Sequence, residues 1–153
     1  MELLDGDSAV FMYMQSVNYL VGTSYTLKPR LVFIKITTMK VLNEIEYDIP
    51  IIDASNWGSA SFQSIIQTIG NDIIAAFDIT PTSNYLQSGI VKLSSTGEIE
   101  WCNLYEPNIE EDSFEILHDI IEALDGDYTA VGAMFLTLES PNKQWLLKLD
   151  ACG

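Results

Sequence analysis

Basic side chains are scarce in this 153-residue chain: 7 Lys and Arg stand against 22 Asp and Glu, a formal net charge of −15. A surface of that sign repels phosphate backbones, which argues against nucleic acid as a partner. Apolar runs are short, and none approaches the roughly 20 residues of a membrane helix, so membrane insertion is not expected. Met1 to Asp7 offers neither a basic start nor an apolar stretch, so no signal peptide is read there. Histidine occurs once, at 118, and no G-x-S-x-G motif is present, which leaves a catalytic triad without its parts. Cys102 and Cys152 have no neighbouring Cys or His at zinc spacing, so no metal role is read for them. Sequence does not decide whether they bond to each other, pair elsewhere or stay free. No amphipathic helix stands out either; Ser113 to Leu124 is the one competitor, and its counterpart at 58 to 69 reads as strand.

What the chain does have is self-similarity at a period of about 55 residues, a length that marks a repeat array. Ile34-Lys35-Ile36, Val91-Lys92-Leu93 and Leu147-Lys148-Leu149 each set a lysine between branched aliphatics, in nearly equal steps along the chain. Ahead of them, Leu20-Val21-Gly22, Ala75-Ala76-Phe77 and Ala130-Val131-Gly132 recur at the same period, as do Phe62-x-x-Ile65-Ile66 and Leu117-x-x-Ile120-Ile121. Within one unit, runs at 62–68, 72–79, 88–94 and 98–105 are punctuated by Gly70-Asn71, a polar stretch at Pro81 to Asn84, and Ser95-Thr96-Gly97, which predicts four short strands. In the next unit Asp125-Gly126 gives the first turn its strongest hairpin form.

Subtracting one period predicts strands in the first copy at 7–13, 17–24, 31–37 and 43–48. Gln15-Ser16 then falls at the first turn, and a small insertion falls in the third. Matching Asn43-Glu44-Ile45-Glu46-Tyr47 to Gly97-Glu98-Ile99-Glu100-Trp101 sets that register. The units run over about 7–61, 62–114 and 115–153, with Gly153 standing one period after Gly97, where a further strand is due. The expected fold is therefore all-β: an incomplete β-propeller of two four-stranded blades plus three strands of another. Propellers close with 4 to 8 blades, and arrays of fewer than three units leave both terminal faces bare. The chain is accordingly expected to be a fragment of a larger repeat protein, or to need self-association to close a ring. At 48% hydrophobic and 10% aromatic residues, it can bury a useful core.

Ser64-Ile65-Ile66-Gln67-Thr68, Asp125-Gly126-Asp127-Tyr128 with Val131-Gly132, Trp145-Leu146-Leu147-Lys148-Leu149-Asp150 and Gly97-Glu98-Ile99-Glu100-Trp101 carry a resemblance across nearly the whole chain. They look like the tandem propeller repeats of secreted bacterial proteins associated with type IX secretion. There a blade reads approximately S-I-I-Q-T, D-G-G-Y, V-A-G, then L-x-K-L-D-x-x-G-x-I-x-W. Phe77 departs from that pattern by replacing the glycine of the second strand. The resemblance implies a propeller fold and a secreted or cell-surface location. It implies no catalytic residue and no cofactor, because its signature is architectural.

Candidate chemistry is thin. His118 beside Asp119 is an acid–base pair without a nucleophile, and reads as a polar strand residue whose counterpart is Gln63. Glu98 and Glu100, like Glu44 and Glu46, alternate with apolar residues. Paired carboxylates serve glycoside hydrolysis, but residues two apart on a strand share one face, and their recurrence reads as a solvated outer strand. Asp125-Gly126-Asp127 and Asp5-Gly6-Asp7 resemble scraps of a calcium loop, and Glu110-Glu111-Asp112 is an acidic loop, yet a full site needs six to eight oxygens. The long connections place Tyr25, Asn56, Trp57, Asn84, Tyr85 and Asn108 together on one face of the expected ring. Aromatic and amide side chains on loops suit a glycan, peptide or protein ligand. Three functions follow as expectations: a non-enzymatic extracellular binding or adhesion module, part of a propeller glycoside hydrolase or polysaccharide lyase, or a structural spacer.

Overall fold

The computed structural model describes residues 1–4, 6–18, 25–47, 57–81, 87–105, 113–136 and 143–153. They form eleven strands in three antiparallel sheets, with no helix among the described residues and so none long and apolar enough to cross a membrane. The first sheet is β1 (Glu2–Leu4), β2 (Ser8–Asn18), β3 (Tyr25–Lys35) and β4 (Lys40–Glu46). The second is β5 (Trp57–Gln67), β6 (Ile73–Pro81), β7 (Gln87–Leu93) and β8 (Ile99–Tyr105). The third is β9 (Ser113–Glu122), β10 (Tyr128–Leu136) and β11 (Lys143–Leu149). Each sheet pairs its strands in chain order, a repeat-like arrangement. Segment 113–122, where a helix competed, is strand.

The sheets stack face to face in series. β6 reads Ile-Ile-Ala-Ala-Phe-Asp-Ile over residues 73–79 and is buried throughout, as a strand covered on both faces must be. Ile73, Ala75, Phe77 and Ile79 pack against Val10, Met12 and Leu31 of the first sheet. Ile74 and Ala76 turn the other way, with Ile90, against Leu117, Ile120 and Ala130 of the third. Burial of these apolar faces is the main stabilising term of such a stack.

Hairpin geometry repeats as well. In the turns at Thr68–Asp72, Ser94–Glu98 and Ala123–Asp127, the first residue's N–H donates to the carbonyl four positions on, and the fourth residue's N–H donates back to the first. That fourth residue is Asn71, Gly97 or Gly126, with φ of 68°, 90° and 86°. A hairpin loop of this length needs such a left-handed position, which glycine adopts without strain. Gly153 repeats it at φ 92°, donating to Asp150. Gly97 lies against the preceding sheet, its carbonyl accepting the Tyr47 hydroxyl at 2.6 Å. Gly153 does the same one sheet on, its carbonyl accepting from the Asn103 amide at 3.3 Å. The motif lysines complete the pattern: Lys35 reaches Asp7 (4.0 Å), Lys92 reaches Asp72 (3.2 Å) and Lys148 reaches Asp127 (2.8 Å), each near the first hairpin of its own sheet.

The first sheet corrects the expected strands. Residues 8–13 belong to its second strand, and its first is Glu2–Leu4, joined through a turn holding Gly6 at φ 80°. Ala9 pairs with Ile34 as Ala75 pairs with Val91 and Ala130 with Leu147, so Ala9-Val10-Phe11 is the counterpart of Ala75-Ala76-Phe77. Gln15 and Ser16 are strand residues, and Leu20-Val21-Gly22 lies outside the described residues. The third turn is the short stretch 36–39, with β4 starting at Lys40, because Lys35 pairs directly with Lys40. The match of Asn43–Tyr47 to Gly97–Trp101 is thereby broken: Ile45 lies opposite Leu31, whereas Ile99 lies opposite Leu93, the counterpart of Ile36.

Phe77 at a glycine position finds its reason across the hairpin. Phe77 pairs with Gly89, and a Cβ on Gly89 would run into the Phe77 ring and fall 2.9 Å from Leu104. In the third sheet the sizes are exchanged: Gly132 pairs with Trp145, and a Cβ on Gly132 would fall 2.5 Å from the indole nitrogen. One aromatic and one glycine share the site in either order. Gly89→Ala is expected to destabilise the protein by about 1–3 kcal/mol through overpacking, with Phe77→Leu in the same chain recovering part of the loss. Urea unfolding of the two variants checks this, and an unchanged midpoint for Gly89→Ala would contradict it.

Candidate functional site

Of the six loop residues with ligand-binding character, Asn56, Asn84, Tyr85 and Asn108 lie outside the described residues, and so do Glu110, Glu111 and Asp112. Tyr25 and Trp57 are the first residues of β3 and β5. The strand order sends the β2–β3, β4–β5, β6–β7, β8–β9 and β10–β11 connections to one end and the tight hairpins to the other.

The polar groups that the described structure does bring together lie where the second and third sheets meet. β5 and β9 each carry a bulge: the register slips at Gln63 in β5 and at His118 in β9. These two positions are repeat counterparts, one period apart, so the irregularity recurs with the strands. A bulge leaves one residue unpaired and re-aims its neighbours. Beside it the Ser64 hydroxyl donates to Asp119 Oδ1 at 2.6 Å, a bond between repeat counterparts in adjacent sheets. The Gln63 amide donates to Ser61 Oγ at 2.9 Å. His118 and Asp119, the expected acid–base pair, are both exposed, and Asp119 is engaged by Ser64 and the Ile120 N–H.

Behind this edge sits Asp78, 4% exposed. Its Oδ1 accepts from Ser88 Oγ at 2.6 Å and from the Leu117 N–H at 3.1 Å, so one carboxylate ties two strands of its own sheet to the inner strand of the next. Its Oδ2 is buried without a hydrogen-bond partner among the described residues. Burial pushes this carboxyl above the usual carboxylate range, and the Ser88 and Leu117 hydrogen bonds, with Gln63 and His118 nearby, offset only part of that. Asp78 was not singled out in sequence, although one acid inside an otherwise apolar run is the signal that marks it.

Several other carboxylates are engaged within their own sheets, whereas Glu122 accepts from the Ile69 N–H of the second sheet. Glu44 accepts from Arg30 at 2.8 Å and from the Tyr13 hydroxyl at 2.9 Å, and Glu46 accepts from Lys28 at 2.8 Å and from Arg30. The Glu44–Glu46 pair is thus an exposed ion-pair ladder. Glu100 joins Asp72 on Lys92; burial works against that ammonium, yet the two carboxylates hold its pKa above the ordinary lysine value. Asp125 and Asp127 share Lys148 at 3.7 and 2.8 Å. No group of three His, Cys, Asp or Glu suited to a metal ion is found among the described residues. Cys102 and Cys152 are both free thiols; burial pushes Cys102 up to about 11, whereas Cys152 is exposed.

A scan of family models finds no match to this chain, and no curated protein matches it.

Two outcomes follow. Asp78 has a raised pKa in the folded state, so its contribution to stability is fully present below the unfolded carboxyl's pKa and is lost as pH rises through the folded value. Asp78→Asn keeps the acceptor and removes the charge. It is expected to match or exceed the parent in stability at pH 7, with the advantage shrinking as pH falls through the carboxylate range. Asp78→Ala strands the Leu117 N–H and is expected to lose about 1–3 kcal/mol. Urea titrations across pH decide the matter; an Asn variant markedly weaker at pH 7 would show that the charge itself is used. For the thiols, iodoacetamide should modify Cys152 rapidly in the native protein and Cys102 only on unfolding. Equal rates by mass spectrometry would contradict the burial of Cys102.

Proposed function

We propose that this chain is a segment of a β-propeller-like repeat array, of the kind found in secreted bacterial proteins, and that it serves as a non-enzymatic extracellular binding or adhesion module. The observation that carries this reading is the serial stack: each sheet presents its connections in the same sense, so the long connections gather at one end of a rigid scaffold. Tyr25, Asn56, Trp57, Asn84, Tyr85 and Asn108 fall on or beside those connections in the sequence. Loops on a rigid frame are the usual carriers of recognition, and aromatic and amide groups recognise sugars or peptides by stacking and hydrogen bonding. The engagement of Glu44, Glu46, Asp72, Glu100 and Asp127 by lysine and arginine of their own sheets supports a structural use of the acids. The blade motifs that resemble exported, type IX secretion-associated repeats support an extracellular setting.

One observation favours the second reading, a propeller carbohydrate-active enzyme. A buried carboxyl with a raised pKa suits a general acid, and Asp78 is such a group, close behind the bulge that carries His118. Under that reading Asp78→Asn abolishes hydrolysis of a polysaccharide while leaving the fold intact. Under the binding reading no polysaccharide is cleaved.

Glycan and peptide arrays probed with the purified chain test the main proposal. Trp57→Ala and Tyr85→Ala are expected to weaken the captured ligand at least about tenfold, near 1.4 kcal/mol, without lowering the thermal midpoint. Unchanged binding in both variants, with folding intact, would remove this end of the stack as the site.

A further inference from the structure

Ile69 and Leu124 hold the second position of the turns Thr68–Asp72 and Ala123–Asp127, and they are 73% and 99% exposed. Leu124 is the most exposed large apolar side chain among the described residues. The two are repeat counterparts, one period apart. Turns ordinarily take Gly, Asn, Asp or Ser, and the β7–β8 turn follows that rule with Ser95 at the same position. Apolar tips are thus a feature of the first hairpins of the second and third sheets, and not of hairpins in general. Neither tip joins a core cluster. An apolar side chain stabilises a fold only by leaving water, so folding does not account for either residue.

Stacking brings the two tips side by side. The Ile69 N–H donates to Glu122 of the third sheet, two residues ahead of Leu124, so the β5–β6 turn lies against the end of β9. Acids surround the pair: Asp72 and Glu100 share Lys92, Asp125 and Asp127 share Lys148, and Glu122 adds a fifth carboxylate. From this we infer that the hairpin end of the second and third sheets docks a cationic, apolar peptide segment of another protein. Its apolar side chains cover Ile69 and Leu124, and its lysines or arginines meet the surrounding carboxylates. Exposed apolar groups rimmed by polar ones mark interaction sites, and charge complementarity selects the sign of the partner. The same acids repel an anionic lipid surface, which disfavours a membrane as the occupant. The site sits at strand ends, so it stays open whatever packs on the faces of the sheets. It is separate from the long connections at the opposite end and does not depend on the binding assigned to them.

Titration of the intact chain with a labelled synthetic peptide, pairs of leucine alternating with pairs of lysine, tests the site. A matched peptide with serine in place of leucine measures what charge alone contributes. The leucine peptide is expected to bind at least about tenfold tighter than the serine peptide. That preference should vanish in the double variant Ile69→Ser, Leu124→Ser, with circular dichroism unchanged. Leu124→Ser alone alters a side chain that is 99% exposed; it should lose part of the preference and decides the matter if the double variant does not fold. Leu146→Ser, an equally simple change at a side chain 69% exposed on β11, should leave it intact. No binding, equal binding of the two peptides, or a preference that survives in the folded double variant overturns the proposal. A preference lost equally in Leu146→Ser overturns it too, since any exposed apolar group would then serve. Capture of the parent chain, but not the double variant, on phosphatidylcholine vesicles would assign the tips to lipid and likewise overturn it.

Discussion

A sheet with apolar residues on both faces has to be covered twice, and in this chain that constraint governs the rest. The middle sheet alternates Ile73, Ala75 and Phe77 on one side with Ile74 and Ala76 on the other, and all five are buried. Neither set could face water without losing the burial that stabilises the fold. The flanking sheets are therefore as necessary to the second sheet as its own strand pairing. Alanine recurs at the centre of one face, at 9, 75 and 130, and is fully buried each time.

Smaller devices hold the stack in register. A left-handed turn residue lets Gly97 and Gly153 lie flat against the preceding sheet, where each carbonyl accepts a side-chain hydrogen bond. The recurring lysines pin each sheet's first hairpin by its aspartate, which explains why a lysine stands between aliphatics in a strand that otherwise faces a core. Asp78 does the complementary work across a joint, receiving the Leu117 N–H of the next sheet. Its other oxygen is buried without a hydrogen-bond partner among the described residues, which is why this residue carries the one observation on the side of catalysis.

Strand content and the order of the sheets were legible in the sequence, since turn residues and lysine triplets recur wherever a hairpin must close. The register of the first copy was not. A hairpin can lengthen both arms at once without disturbing the pairing at its base, and β2 with β3 does so, each running 11 residues against 9 and 7 in the second sheet. Subtracting a constant period across the longer hairpin shifted the second strand by one arm and made Gln15-Ser16 look like a turn. Phe77 reads as a departure from the motif because its compensation, Gly89, lies on the next strand. Asp78 escaped notice because Leu117, far along the chain, meets it only once the sheets stack. The six loop residues stand out by composition and chain order alone, and Asn56, Asn84, Tyr85 and Asn108 lie outside the described residues.

The serial stack is tested most directly by methyl-to-methyl nuclear Overhauser contacts in protein labelled at isoleucine, leucine and valine. If the account is right, Ile73 and Ile79 show contacts to Val10 and Leu31, while Ile74 and Ile90 show contacts to Leu117 and Ile120, with no exchange between the two sets. Contacts from Ile74 to the first sheet, or none from Ile74 to the third, would contradict it.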